Sequence, residues 1–281
     1  MKILKTIIKY ILTIIFTVLL ILYILINLAS STVLNENYVL SKLEQTDYYN
    51  KIYEYVKSNF ENYVYQSGLE ENVLNNIITK EKVEKDTKII IGNIYDGLDE
   101  KIQTQEIKDN LNKNIKNEMG DIVLNTTQKK SIDTFVEKIC DEYTSTISHF
   151  NYEKDINNIC SKIVKYIEIG KKVLLIIMGI CIILLMWLNI YRIYKFISLL
   201  GITLMATGTF FVIVDAFINT KMKVQNIILL NDAITNTLKN ILTDILNSII
   251  NYGCILVTVG FVLIILSNLI HNIRKYRVKE T

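Results

Sequence analysis

Two cysteines in the middle of the chain have a spacing that permits a covalent bond. Cys140 and Cys160 lie on the apolar faces of two predicted helices and are equidistant from Phe150, within the connection formed by residues 149–152. An antiparallel hairpin centred on that connection would place the two thiols opposite each other. A disulfide there would contribute about 3 kcal/mol in the chain-entropy model and needs an oxidising compartment. The alternative is two small buried hydrophobic side chains, and the sequence leaves both interpretations open.

Residue types used for catalysis and metal binding are scarce. The only histidines, His149 and His271, fall in regions that the chain is predicted to place on opposite sides of a membrane. No HExxH, paired CxxC, GxSxG or phosphate-binding glycine motif is present, so the common signatures of zinc, hydrolase and nucleotide sites are missing. The sequence therefore predicts a protein that is not an enzyme, with no catalytic residues, no cofactor and no metal site.

Four glycines have a spacing that suits helix packing. Gly201 and Gly208 are seven residues apart, and so are Gly253 and Gly260, which puts each pair on one face of its helix. Small residues on one face let two helices approach closely in a bilayer. We therefore predict a helix-packing face at these glycines. The pattern does not distinguish contact within one chain from contact between copies, so a homo-oligomer remains open.

Long apolar segments must position these residues. Of the 281 residues, 51% are hydrophobic and none is proline. Four segments contain no Asp, Glu, Lys, Arg or His over 18 or 19 residues, namely 11–29, 173–190, 196–214 and 252–270. At about 1.5 Å per residue each spans roughly 28 Å, close to the thickness of a bilayer's hydrocarbon core. This pattern predicts an all-α polytopic membrane protein with four transmembrane helices.

Charges beside the apolar segments predict the orientation. Residues 1–10, the link 191–195 and residues 271–281 together hold nine basic residues and one acidic residue. Residues 30–172 hold 19 lysines and 24 acidic residues, and residues 215–251 hold three of each sign. By the positive-inside rule both termini are cytoplasmic and the two longer connections extracytoplasmic, in a multi-pass protein of the cell membrane. Because the basic clusters flank the spans, we expect no nucleic-acid partner.

The first apolar segment has a second interpretation as a cleaved signal peptide. A basic start, an apolar run and the small residues Ala29 and Ser31 supply the three parts of such a signal. The apolar run exceeds the usual signal length of about 7 to 15 residues, which favours an uncleaved anchor. Cleavage would leave three spans and the same outside domain.

Residues 30–172 are predicted to form an extracytoplasmic domain of successive amphipathic helices. Polar residues and glycines mark the helix ends. The predicted starts are at Thr46 or Asp47, Thr79 and Ser131, and the predicted stops are at Gly68, Gly97 and Gly120. A fifth helix through residues 156–167 is expected to continue into the second span.

Residues 215–251 are predicted to contain an amphipathic helix that follows Asn231 and leads into the fourth span. Its apolar residues recur at helical spacing and include Ile234, Leu242 and Ile249. We expect the larger outside domain to cover this apolar face, with the membrane surface and a partner protein as the alternatives.

Two resemblances extend this description. The stretch from Tyr38 through Asp47, Tyr48 and Tyr49 to Gly68 and Leu69 resembles the outside domains of uncharacterised four-span membrane proteins of low-GC Gram-positive bacteria. That resemblance implies a helical extracytoplasmic domain and no known activity. The order of one span, a large outside domain and three further spans is similar to the layout of FtsX-like and MacB-like ABC permeases, which implies a transport role.

The predicted cytoplasmic segments are too short to hold a signalling or catalytic domain. The four spans contain no Asp, Glu, Lys, Arg or His, which disfavours a proton-coupled pump. We therefore expect a non-enzymatic envelope protein whose helical domain binds a protein, a wall component or a ligand. Its expected partners are the lipid bilayer and another membrane or envelope protein. The alternative is an accessory or permease-like subunit of an ABC-type transport complex.

Overall fold

The computed structural model describes residues 2–120, 125–148, 154–221, 224–229 and 231–277, and these residues contain no β-strand. The described α-helices are α1 (Lys2–Ser31), α2 (Glu36–Gln45), α3 (Tyr48–Ser67), α4 (Lys80–Asp96), α5 (Gln105–Met119), α6 (Thr126–Ile147), α7 (Lys154–Leu188), α8 (Ile193–Lys221) and α9 (Asp232–Arg277). Short 3₁₀ turns lie at Glu71–Leu74 and Val224–Asn226. The predicted all-α class is confirmed.

Four helices are long and apolar enough, by length and composition, to cross a membrane. The qualifying stretches are Ile3–Ser31, Asn157–Leu188, Ile193–Lys221 and Asp232–Lys275, each overlapping one predicted span. Only 17 to 28% of the residues in their most apolar parts are buried. Apolar side chains therefore cover most of their outer surface, as expected for helices that contact lipid.

The chain divides into two compact units. We call Met1–Asn35, Lys165–Ile227 and Lys239–Thr281 the apolar unit, because it holds the most apolar parts of α1, α7, α8 and α9. Glu36–Val164 and Ile228–Leu238 form the second unit, which we call the polar unit. The helices α7 and α9 contribute residues to both units.

The polar unit is built on one hydrophobic core. Each of its longer helices buries one stripe of apolar side chains, as the helical period of the sequence predicts. Representative core residues, each at most 1% exposed, are Ile52, Phe60, Val83, Ile90, Leu111, Ile139 and Tyr143.

Capping residues determine where helices of the polar unit begin and end. The Thr79 hydroxyl accepts a hydrogen bond from the Lys82 amide, and Gly68 and Gly97 end their helices at φ of 74° and 70°, which glycine adopts without strain.

One predicted helix start is wrong. The helix α6 begins at Thr126, because Asn125 and Gln128 form a reciprocal capping box at its first turn. Ser131 lies inside the helix, and its hydroxyl donates 3.1 Å to the Thr127 carbonyl. Asp47 precedes α3 as predicted but makes no side-chain capping bond. Thus α6 is five residues longer at its start than the sequence indicated.

The segment before the fourth candidate span belongs to the polar unit at its start. Ala233 is 1% exposed in the polar core, and the Thr237 hydroxyl lies 2.7 Å from that of Thr46. The polar unit therefore covers only this first part of the helix. Further along α9, Leu242 and Ile249 pack within the apolar unit. The amphipathic face therefore has two partners, one in each unit.

Candidate functional site

A cleft of about 510 Å³ lies in the polar unit where three helix ends meet. Its walls come from the end of α3, the end of α5 and the first half of α6. The described lining residues are Tyr63, Gln66, Ser67, Leu69, Met119, Thr127, Gln128, Ser131, Ile132, Thr134, Phe135 and Lys138. The cleft falls within the volume range of small-molecule sites in proteins.

Local sequence features explain why the chain opens here. Gly68 stops α3 by taking a left-handed conformation, which turns the chain away and carries Leu69 into the wall. The capping box formed by Asn125 and Gln128 fixes the start of α6 on the opposite side. Both helix ends are therefore set by local interactions, a left-handed glycine at the end of α3 and a side-chain capping box at the start of α6.

The cleft has an apolar floor and a rim of neutral polar groups. Phe135 is 9% exposed, and Leu69, Met119 and Ile132 are half-buried beside the polar core. Hydroxyl groups on the rim donate to their own helices, as Ser67 does to Val64 and Thr134 to Lys130. The Ser67 hydroxyl also accepts a 3.3 Å hydrogen bond from the Leu69 amide, whereas the Thr134 hydroxyl keeps lone pairs for a ligand donor. Among the described lining residues, Lys138 and Tyr63 carry the ionisable groups.

A carboxylate behind the cleft fixes the position of Tyr63. Glu142 Oε1 accepts a hydrogen bond of 2.7 Å from Asn59 Nδ2, and its Oε2 accepts one of 3.3 Å from the Tyr63 hydroxyl. The charge of Glu142, together with burial and this hydrogen bond, raises the pKa of Tyr63. The Tyr63 hydroxyl is thus held protonated as a hydrogen-bond donor to Glu142, and the residue lines the cleft.

A second polar cluster is buried where α4 packs on α6. Asp86, 3% exposed, accepts a 2.6 Å hydrogen bond from the Tyr143 hydroxyl and pairs with the Lys82 amine at 3.2 Å. Lys82 also donates to the Gln103 carbonyl at 3.0 Å. Burial, followed by the hydrogen bond to Asp86, raises the pKa of Tyr143. Because these groups satisfy one another inside the core, we assign the cluster a structural role.

Because several tyrosines are buried, we expect the protein to lose stability in alkaline solution. Burial is the largest cause that raises the pKa of Tyr48, Tyr143 and Tyr49, the last to about 12. Above about pH 10 the unfolded chain releases tyrosine protons that the folded chain still holds, so the free energy of unfolding falls as the pH rises. The expected loss is up to about 1.4 kcal/mol per pH unit for each such tyrosine. Urea unfolding at pH 8 and pH 11 measures it.

Tyr49→Phe provides the control for this prediction. The Tyr49 hydroxyl is buried and has no hydrogen-bond partner among the described residues, so its removal should leave stability at pH 8 nearly unchanged. The variant should lose less stability than the parent between pH 8 and pH 11. Equal urea midpoints at both pH values for the parent would contradict the prediction.

The four glycines predicted to form a packing face lie together in the apolar unit. A methyl carbon built on Gly208 would lie 2.6 Å from the Gly253 carbonyl oxygen, and one built on Gly201 would lie 2.8 Å from that of Gly260. In the reverse direction, a methyl carbon on Gly253 would lie 3.1 Å from the Gly208 oxygen and one on Gly260 would lie 2.7 Å from the Gly201 oxygen. The backbones of α8 and α9 therefore touch along this face within one chain.

The two cysteines considered for a disulfide are free thiols in the structure. Cys140 is buried on α6 beside the Thr104 hydroxyl, and burial raises the pKa of its thiol. Cys160 is half-buried on α7. The predicted hairpin at residues 149–152 lies outside the described residues. A disulfide between them stays a prediction, which thiol titration of the untreated, denatured chain would test.

The cleft itself was missed by sequence reasoning. In the sequence, Ser131 indicates only a helix start, and the helical spacing around Tyr63 places that residue on a helix without indicating a cleft. The sequence carries one usable signal for the cleft. Gly68 and Gly120 each end a helix, and two neighbouring helix ends can leave a gap between them. In the described part of the chain, no group of three or more His, Cys, Asp or Glu residues has the geometry of a metal site.

Comparisons with known proteins identified no relative of this chain. No family model, curated protein or solved structure matches the chain.

Proposed function

We propose that the protein is a non-enzymatic protein of the cell envelope, anchored by four membrane spans, whose polar unit lies outside the cytoplasm and binds a ligand. The orientation is supported by the basic residues that cluster at 1–10, 191–195 and 271–281, because such clusters remain cytoplasmic during insertion. The membrane location is supported by the four long apolar helices.

The cleft between α3, α5 and α6 is the observation that carries the binding role. A ligand of matching chemistry would lay an apolar or acetylated face on Phe135 and bond its hydroxyl or amide groups to the rim. None of the cleft's described lining residues is an Asp, Glu, His or Cys that could act as a general base beside Ser131 or Ser67. This composition favours recognition of a substrate over its chemical conversion.

We take the ligand to be a glycan segment of the cell wall. Acetylated sugars combine an apolar ring face with many hydroxyl and amide groups, which matches an aromatic floor and a neutral polar rim. Lys138 is the one cation among the described lining residues and would pair with the single carboxylate of a muramic acid residue. Within that described lining, a strongly anionic ligand would find a single charge partner.

Binding of soluble peptidoglycan fragments to the full chain in mild detergent tests the proposal. Ser131→Trp places an indole in the cleft and should weaken binding at least ten-fold. Asp133→Trp is the matched control, because Asp133 is exposed on the same helix and does not line the cleft. It should leave affinity within a factor of two.

Three outcomes would reject this proposal. They are the absence of binding, equal weakening by both tryptophan variants, and recovery of the chain in a stoichiometric complex with an ATPase without affinity for glycan. The last would support the alternative, an accessory or permease-like subunit of an ABC-type transport complex.

A further inference from the structure

A second cavity, of about 310 Å³, lies at one end of the apolar unit. It is bounded by the start of α1, the turn after α7, the first two turns of α8 and the last part of α9. Its described lining includes two lysines, Lys9 and Lys195. It plays no part in the ligand binding proposed above.

One of these cations is held firmly in place. The Lys9 amine donates a 2.6 Å hydrogen bond to Asn189 Oδ1. Asn189 is 3% exposed, and its own amide donates 2.8 Å to the Leu185 carbonyl. Asn189 therefore holds the Lys9 amine at the cavity and is itself anchored to the end of α7.

Further positive charge surrounds this amine, and no acidic side chain of the described residues pairs with it. Lys195, Arg192 and Lys5 all lie close enough to repel Lys9. None of the ion pairs among the described residues involves any of these four side chains. The stretches 1–35 and 169–214 contain no acidic residue at all. An anion that enters the cavity would relieve this repulsion.

The rest of the lining combines hydrogen-bonding groups with apolar ones. Asn268 and His271 of α9 line one side, and His271 lies against the Tyr194 ring with centroids 4.5 Å apart. Leu199 and Ile202 continue the lining along α8 toward the apolar centre of the helix. The cavity thus passes from a cationic end to an apolar wall over about two turns.

We propose that this cavity binds the phosphate headgroup of an anionic phospholipid. Basic pockets between helices at a membrane boundary suit such headgroups, because the phosphate meets the cations while the glycerol and acyl chains follow the apolar wall. Free phosphate carries the same anionic group but has no apolar part that could pack against Leu199 and Ile202. The lipid is therefore the occupant to which the lining points.

Native mass spectrometry of the full chain in mild detergent, with added phosphatidylglycerol or phosphatidylcholine, tests the assignment. Phosphatidylglycerol should remain bound and phosphatidylcholine should not. The double variant Arg192→Gln, Lys195→Gln should bind phosphatidylglycerol roughly ten-fold or more weakly, since two surface cations are lost. Lys221→Gln removes an exposed cation from the other end of α8 and should change binding less than two-fold.

Other results would overturn the assignment. Equal retention of the two lipids, or equal weakening of phosphatidylglycerol binding by Lys221→Gln, would contradict headgroup recognition by this cavity. The cations would then only help to set the orientation of the chain in the membrane. Displacement of the lipid by millimolar inorganic phosphate would identify a free-anion site instead. Because Arg192 and Lys195 are exposed, gel filtration and thermal unfolding should show that the double variant is folded.

Discussion

Gly208→Ala should destabilise the apolar unit, although the change adds a single carbon and alanine is the better helix former. The added carbon would lie 2.6 Å from the Gly253 carbonyl oxygen and 2.7 Å from the Val257 amide nitrogen, which are backbone atoms and cannot rotate away. The helices α8 and α9 must then separate, which costs about 1 to 3 kcal/mol as other overpacked sites do. Gly208→Leu should prevent this pairing altogether, because three further carbons enter the same space.

Gly179→Ala is the matched control for this prediction. Gly179 lies in the candidate span of α7, and an added carbon there meets no atom within 4 Å. Both alanines gain up to about 1 kcal/mol of helix propensity, so the difference between the variants isolates the contact. Thermal unfolding in detergent should put Gly208→Ala roughly 3 to 10 °C below Gly179→Ala. Equal melting temperatures would show that the glycine face does not stabilise the fold.

The sequence predicted the helix boundaries wherever local chemistry decides them. Gly68, Gly97 and Gly120 end helices because each takes a positive φ that other residues avoid. Ser131 failed as a predicted start because serine also tolerates a helix interior, where its hydroxyl bonds the carbonyl four residues back. The capping box at Asn125 and Gln128 was present in the sequence and is the more specific signal.

The sequence did not predict which residues form the cleft. Its walls combine Gln66, Met119 and Thr134, which come from three helices and are brought together only by packing of the polar core. Helix periodicity places each residue on a face of its own helix and carries no information about which faces meet. The glycine face was easier to find, because seven-residue spacing on two consecutive helices is visible in the sequence alone.

The helix α4 shows the same limit in its charged pairs. Lys82 and Asp86, like Glu84 and Lys88, are spaced four residues apart, and both pairs have the pattern of a solvated helix surface. In the structure Glu84 and Lys88 are exposed, with side chains 41% and 49% accessible, whereas the Asp86 side chain is 4% accessible. The difference arises because α6 places Tyr143 over Asp86, a contact between residues 57 positions apart.

Asp86→Ala should therefore destabilise the polar unit far more than Glu84→Ala. Removal of Asp86 leaves the Lys82 amine without its carboxylate and the Tyr143 hydroxyl without an acceptor, both in the core, at a cost of about 3 to 5 kcal/mol. Glu84→Ala removes an exposed ion pair on the same helix and should cost roughly 0.5 kcal/mol. Tyr143→Phe should fall between them, at about 1.5 to 3 kcal/mol, because it deletes one hydrogen bond to a charged group.

Hydrogen exchange in peptides from α4 and α6, followed along a urea titration of the full chain, measures these effects in the correct unit. Tryptophan fluorescence would not, because the single tryptophan, Trp187, lies on α7 in the apolar unit. Asp86→Asn keeps an acceptor for Tyr143 while it removes the charge, so it separates the hydrogen bond from the ion pair. Equal loss of protection in Asp86→Ala and Glu84→Ala would mean that the buried cluster contributes no more than a surface pair.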